Sequence, residues 1–433
     1  MKRATPQITV DQVEQARGRI ADFARLTPLL PAREVSRRTG AEVTVKAECL
    51  QRTGSFKVRG AFNTLATLGR DELASGVVTA SAGNHAQAVV AAAKHAGAAA
   101  DVFMPADAPL AKVAAVRRRG GEVHLVDGSF DEALDAAQDW ARERGATFMP
   151  AFDHPAVVAG QGTIGLEIAE QAPNTRLVVV PLGGGALASG IAIAVKARLP
   201  GCRVVGVQAE ACAPYGEHFS RLDDAGARLR PSPSTSLEAH RPIGARSAVT
   251  ICDGIAIKRP GDLTLPLVER WVDEVVTVSD DEAAEAMVLL LERSKLVTEG
   301  AGAVGVAAVL AGRVTPPAEG ETCVILSGGN VDATRLAECI AMGETAAGRR
   351  MVVSFAMPDR PGALAGLLRI VAECGANVID VEHLREGIDL HVGETAITLV
   401  LQTKGRDHSA EVLAAIDAEG FARRAQPPPG FAS

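Results

Sequence analysis

The middle of the chain alternates short β-branched runs with Ala-rich stretches of helical period, and several runs end directly in a glycine-bearing turn. Val77–Thr79 leads to Asn84–His95, Asp101–Met104 to Pro109–Arg119, and Val123–Val126 to Ser129–Arg144. Leu177–Val180 leads through glycines to Ala188–Arg198 and then Arg203–Gln208. Strand–helix alternation of this kind specifies a mostly parallel α/β sheet covered by helices. Ser129 with Glu132, and Ser279 with Glu282, carry capping boxes that fix two helix starts.

The pattern changes beyond a boundary near Glu344–Arg350. Met351–Met357, Pro361–Cys374, Asn377–His383, Thr395–Gln402 and Ser409–Glu419 read as β-α-β-β-α, with a last strand near Phe421–Ala425. That order suits a ferredoxin-like module. The expected domains are 1–345, in two α/β subdomains, a linker at 346–350, the module at 351–425 and a disordered tail at 426–433. Cys212–Ser247, rich in Pro, Arg, Ser and Ala, reads as irregular or as a flap.

Composition excludes several classes. Lys+Arg 45 against Asp+Glu 52 gives a net charge of −7, without general attraction to phosphate backbones or anionic membranes. Aromatics are only 3%, with one tyrosine, Tyr215, which leaves little to stack single-stranded bases on. The apolar windows at Ala86–Ala100 and Ala301–Gly312 are too short or too interrupted to span a bilayer. Met1–Val10 lacks the apolar core of a signal peptide. Seven scattered cysteines with no CxxC pair suit neither a disulfide framework nor a zinc site, so a reducing cytoplasm is expected.

Four short segments carry chemistry. In Thr53-Gly54-Ser55-Phe56-Lys57, the lysine would form imines with carbonyls if it were desolvated; most lysines are solvated surface groups instead. Ser81-Ala82-Gly83-Asn84-His85 joins a strand to a helix, where free N–H groups make an anion site; a plain N-cap at Ser81 is the alternative. Pro181-Leu182-Gly183-Gly184-Gly185-Ala186-Leu187 can close backbone amides around a phosphate, or be a tight turn. It matches neither the dinucleotide fingerprint nor the Walker loop. Ser327-Gly328-Gly329-Asn330 follows another apolar strand, and its hydroxyl can meet a ring nitrogen without forcing protonation. A reactive lysine, a phosphate cradle, a carboxylate-binding helix start and a ring-nitrogen partner together describe a site for pyridoxal 5'-phosphate.

SFKVRGAFN, SAGNHAQ, AGQGTIGLEI, PLGGGALASGIA, DGIAIKRPG, EGAGA and LSGGN occur in the order seen in threonine ammonia-lyases (threonine dehydratases). The chain resembles that family from Thr27 to Asp332, and with it the tryptophan-synthase-β-like (fold type II) pyridoxal phosphate enzymes. Asp359-Arg360-Pro361-Gly362-Ala363-Leu364, followed by GANVIDVEH, looks like an ACT regulatory domain, so the whole resembles the one-ACT form of the enzyme. The resemblance implies that Lys57 holds the cofactor as an imine and moves the substrate's Cα proton. It places Phe56 against the ring, Asn84 on the ring oxygen, and Ser327 at the pyridine nitrogen. Gly183, Gly184, Gly185, Ala186 and Leu187 would bind the phosphate; Ser81, Gly83, Asn84 and His85 would surround the substrate carboxylate. An amino-acid effector would sit at Asp359, Arg360, Pro361, Gly362 and Leu364, and paired modules imply a homo-oligomer, dimer or tetramer.

Three departures from the family pattern matter. Ala186 replaces a fourth glycine, which would be strained if that position needs positive φ. Ala82 stands where serine-racemase relatives place a second serine as base, which disfavours racemisation. Gln208 stands where those relatives have a metal-binding glutamate, so no metal is expected. Glu299 reads equally as a carboxylate near the ring or as a structural one. Arg117–Arg119 reads as a solvated helix end, Cys252 and Cys323 as core residues and His383 as structural. The expected reaction converts L-threonine to 2-oxobutanoate and ammonia, with L-serine as a secondary substrate. The alternatives are a dehydratase of L-serine or threo-3-hydroxyaspartate, and a non-catalytic amino-acid sensor.

Overall fold

The computed structural model describes residues 8–219, 249–385 and 390–424. Most of the expected flap and the whole expected tail lie outside these residues. The chain divides into two compact units, Met1–Ala333 and Thr334–Ser433. This division falls at the start of the helix Ala333–Ala346, ahead of the expected linker at 346–350.

The larger unit is built on two sheets. The first has six strands in the order Leu29–Pro31, Val43–Lys46, Glu321–Ile325, Thr175–Pro181, Arg203–Ala209 and Glu274–Val278. Its first pair is antiparallel and every other pairing is parallel. The second sheet is wholly parallel, in the order Glu122–Val126, Ala100–Pro105, Val77–Ala80 and Thr147–Phe148. The central strands read as apolar runs rather than as alternations because helices cover both faces. Val178, Val180, Ile191, Val204 and Ile325 pack one core, and Val77, Val89, Val102, Met104 and Met149 another. Both sequence-read capping boxes form, at Ser129 and Ser279.

Helices Pro155–Gln171 and Ala186–Arg198 cross in close contact. A Cβ on Gly162 would stand 2.8 Å from the carbonyl oxygen of Gly190, so this crossing needs the glycine. The contact fixes the helix whose first turn carries the glycine loop.

The C-terminal unit has strands Arg350–Pro358, Asn377–Leu384, Glu394–Gln402 and Ala422–Arg423, with helices Ala363–Glu373 and Arg406–Ala418. Taken as first to fourth, the strands lie in the spatial order second, third, first, fourth, and all pair antiparallel. This is the ferredoxin-like arrangement. Phe355, Leu367, Val371, Leu399 and Ile416 form its core.

Candidate active site

Ser81, Gly183 and Ser327 each follow the carboxyl end of a parallel strand, where open α/β sheets place their ligands. Lys57 opens the helix Lys57–Leu65, whose N-cap residue Phe56 supplies no side-chain cap. The helix start is held by backbone pairing instead. The Phe56 N–H donates to Ser327 O at 3.0 Å, the Gly329 N–H donates to Gly54 O at 2.8 Å, and Ser55 bridges Gly328. The lysine loop and the Ser327 loop are therefore one structure, although they are far apart in sequence.

Lys57 Nζ donates to the carbonyl of Ala151 at 2.9 Å and lies 5.3 Å from the centre of the Phe56 ring. Burial brings its pKa down to about 8, against a smaller opposing pull from the Glu299 carboxylate. Near neutrality a usable fraction is therefore the neutral amine that attacks carbonyls.

The glycine loop sits against other elements. A Cβ on Gly185 would come 2.6 Å from Tyr215 Oη, and Gly185 has φ +91°. Ala186 is already in the helix, buried among apolar side chains, and among the described residues the one non-glycine with positive φ is Lys295. The condition for strain at Ala186, a positive φ, is not met, because the left-handed position falls one residue earlier at Gly185. The amides of the first turn have no carbonyl partner within their own helix and form a ready anion cradle. Ser327 is buried, and its hydroxyl makes a long 3.4 Å bond to Ala301 O.

Asn84 and His85 open the helix Asn84–Ala96 behind Gly83, and Ser81 Oγ accepts from the Gly83 N–H at 3.1 Å. The His85 ring turns into the core, 2.9 Å from Met149 O, and burial followed by the Lys57 charge lowers its pKa to about 3. It is neutral and donates from Nε2, because a carbonyl can only accept. The ring has a packing role, and what His85 can offer a carboxylate is its backbone N–H. Gln208 spends its amide on Leu182 O and on the Tyr215 N–H, supporting the strand exit before the glycine loop. Among the described residues no group of three or more His, Cys, Asp or Glu is placed so that it could hold a metal ion.

Sequence reasoning gave no role to Asn330 and left Glu299 open. Asn84 Nδ2 donates to Glu299 Oε1 at 2.7 Å, and Asn330 Nδ2 donates to Asn84 Oδ1 and to Thr53 O, both at 2.7 Å. Burial and then the charge of Asp253 raise the Glu299 pKa to about 7, opposed by the Asn84 bond and by Lys112 and Lys57. The one signal available was the last letter of SGGN. A buried network also lies beneath Lys57: Arg59 spans Glu48 and Glu167, and Glu167 accepts from Lys46.

The site fits pyridoxal phosphate. The amides after the glycine loop could hold its phosphate, Lys57 could form an imine with it, and the Ser55 and Thr298 hydroxyls are buried without a hydrogen-bond partner. Such a site on this two-sheet fold defines a cofactor-dependent enzyme of amine chemistry.

Comparison with known proteins agrees. The pyridoxal-phosphate dependent enzyme family matches residues 20–328. An L-threonine ammonia-lyase of Thermotoga maritima is 42% identical over 414 residues, 96% of this chain and 98% of that one. Maize serine racemase superposes with a TM-score of 0.68 at 32% identity, covering 77% of this chain and 96% of the racemase. Threonine deaminase isoform 2 from Solanum lycopersicum gives 0.67 at 31% identity, over 80% and 94%. The chain thus belongs to the pyridoxal-phosphate-dependent enzymes, in the L-threonine ammonia-lyase family.

Proposed function

We propose that the protein is an L-threonine ammonia-lyase, releasing 2-oxobutanoate and ammonia by α,β-elimination. The observation that carries this reading is the half-buried Lys57 amine, 2.9 Å from the Ala151 carbonyl at the start of a helix that backbone bonds lock to the Ser327 loop, with its pKa lowered to about 8. When bound, pyridoxal phosphate supplies the electron sink that weakens the substrate's Cα–H bond. Lys57 would hold the cofactor and, once displaced by the substrate amine, take the Cα proton as general base. The amides of Gly183 to Leu187 would hold the phosphate, Ser327 would face the ring nitrogen and Phe56 would flank the ring. Ser81, Gly83 and the first-turn amides at Asn84 and His85 would bind the substrate carboxylate. Ala82 carries no exchangeable proton on its side chain, which favours elimination over racemisation. L-Serine, one methyl smaller, would be a parallel substrate, since a methyl group is worth only about 1–3 kcal/mol of discrimination.

The test is keto-acid release from L-threonine, L-serine and threo-3-hydroxyaspartate by the purified protein. Rapid 2-oxobutanoate formation supports the reading. A cofactor-loaded protein inert towards threonine moves the substrate to another β-hydroxy amino acid.

The C-terminal unit reads as an ACT module that binds an amino-acid effector. Its Asp359–Gly362 turn is exposed, Asp359 pairs with Arg385 at 3.0 Å, and Gly362 opens the following helix with φ +90°. Isoleucine and valine are the effectors to titrate, and a dimer or tetramer in the cytoplasm is the expected state. Activity unchanged across an amino-acid panel removes the effector; a monomer by sedimentation removes the assembly.

A further inference from the structure

An asparagine amide can present either a donor or an acceptor to a ligand, and its neighbours decide which. Thr53 O is a backbone carbonyl and can only accept. The Asn330 atom 2.7 Å from it is therefore Nδ2, and the same nitrogen faces Asn84 at 2.7 Å. The Asn84 atom facing a donor must be its oxygen. Its nitrogen is then left towards Glu299, where one N–H is spent at 2.7 Å, and the second N–H meets no acceptor among the described residues. Turning the Asn84 amide over would set two NH₂ groups against each other. Two glycines leave room for this chain: a Cβ on Gly54 would collide with the Asn330 carboxamide, and one on Gly328 would collide with the Glu299 carboxylate.

We propose that Asn330 is a positioning residue that transmits the polarity of the Thr53 carbonyl to Asn84, keeping an Asn84 N–H aimed at the oxygen of the cofactor ring. The proposal rests on the reading that pyridoxal phosphate binds here. Glu299 alone cannot do this work. Deprotonated, it accepts from Asn84 Nδ2; protonated, it could donate to Asn84 Oδ1 and turn the amide over. Its proton responds to Asp253, Lys112 and Lys57, and the Cys49 and Cys252 thiols also feel its charge. The Thr53 carbonyl never titrates, so a polarity set through Asn330 survives protonation of Glu299.

The experiment uses the full-length, cofactor-loaded protein without substrate and follows the visible absorbance of the bound cofactor from mildly acidic to mildly alkaline pH. In Asn330→Ala the absorbance should gain a transition near neutrality that the wild type lacks. Its kcat should fall about tenfold while KM moves less than about threefold. The transition should vanish in the Glu299→Gln/Asn330→Ala double variant, where the carboxyl no longer titrates. Asn330→Asp, of the same size, cannot donate to either carbonyl when ionised and should lose at least as much kcat. Wild-type spectra and kcat in both single variants would overturn the proposal, as would a transition that persists in the double variant. A wild type that holds no cofactor removes the proposed function and this inference together. One that holds it but spares threonine removes only the substrate, because the spectra still decide on Asn330.

Discussion

The Lys57 amine lies 2.9 Å from the carbonyl oxygen of Ala151, which accepts its hydrogen bond while burial draws its pKa to about 8. A neutral amine is needed to form an imine, so mixing cofactor-free protein with pyridoxal phosphate should give a rate that rises with pH through about 8 and then levels. Stopped-flow absorbance measures it. Replacing Lys57 by alanine should lower turnover of threonine by about 10²–10⁴-fold, the range for losing a positioned base, while wild-type turnover in that variant would remove Lys57 from the chemistry.

The glycine loop separates two substitutions that sequence would treat alike. Gly185→Ala places a Cβ 2.6 Å from Tyr215 Oη at φ +91°, so affinity for pyridoxal phosphate should fall at least about tenfold. Ala186→Gly restores the family's fourth glycine, yet position 186 is already helical. Cofactor affinity should stay within about twofold, and stability should drop by about 0.5–1 kcal/mol for glycine in a helix. Equilibrium titration and thermal unfolding of the two variants give both numbers.

Much of this was legible in the sequence. The strand–helix alternation, both capping boxes and the glycine turn at 183–185 are set by neighbours in the chain, and each appears where its local pattern puts it. What stayed hidden depends on contacts between distant segments. Asn330 and Asn84 are 246 positions apart, and nothing local says which end of either amide meets the other. The His85 ring could not be known to turn towards Met149 rather than into the site. Residues 334–345 fall within the larger expected domain by sequence, and only tertiary contacts group them with the smaller unit.

Glu299 makes stability depend on pH in a stated direction. Its carboxyl would titrate near 4.5 unfolded and titrates at about 7 in the folded chain, chiefly through burial. Between those values the folded protein holds a proton that the unfolded chain has released. The group's contribution is complete below about 4.5 and is lost as pH rises through about 7, a span worth about 3 kcal/mol. Glu299→Gln removes that loss, so the variant should gain on the wild type as pH rises over this window. Denaturant melts at several pH values check it, and a constant gap between the two proteins would show that the carboxyl does not titrate there.

Arg59 tests what holds the reactive lysine's helix in place. Its guanidinium donates to Glu48 at 2.9 and 2.8 Å and to Glu167 at 2.6 and 3.0 Å; Arg59 and Glu48 are fully buried and Glu167 nearly so. Lys46 adds a third bond to Glu167, so one lysine and one arginine balance two carboxylates. Removing one member of a buried ion network leaves uncompensated charge, which costs about 3–5 kcal/mol. Arg59→Ala should lose that much in denaturant unfolding. Arg59→Lys should recover only a minor part, since an ammonium is a point charge and cannot form the planar fork that reaches two carboxylates. The helix that carries Lys57 also carries Arg59, so loosening this anchor should weaken cofactor retention as well as stability. If Arg59→Lys matched the wild type in both measurements, charge balance alone would be sufficient and the fork would be irrelevant to the placement of Lys57.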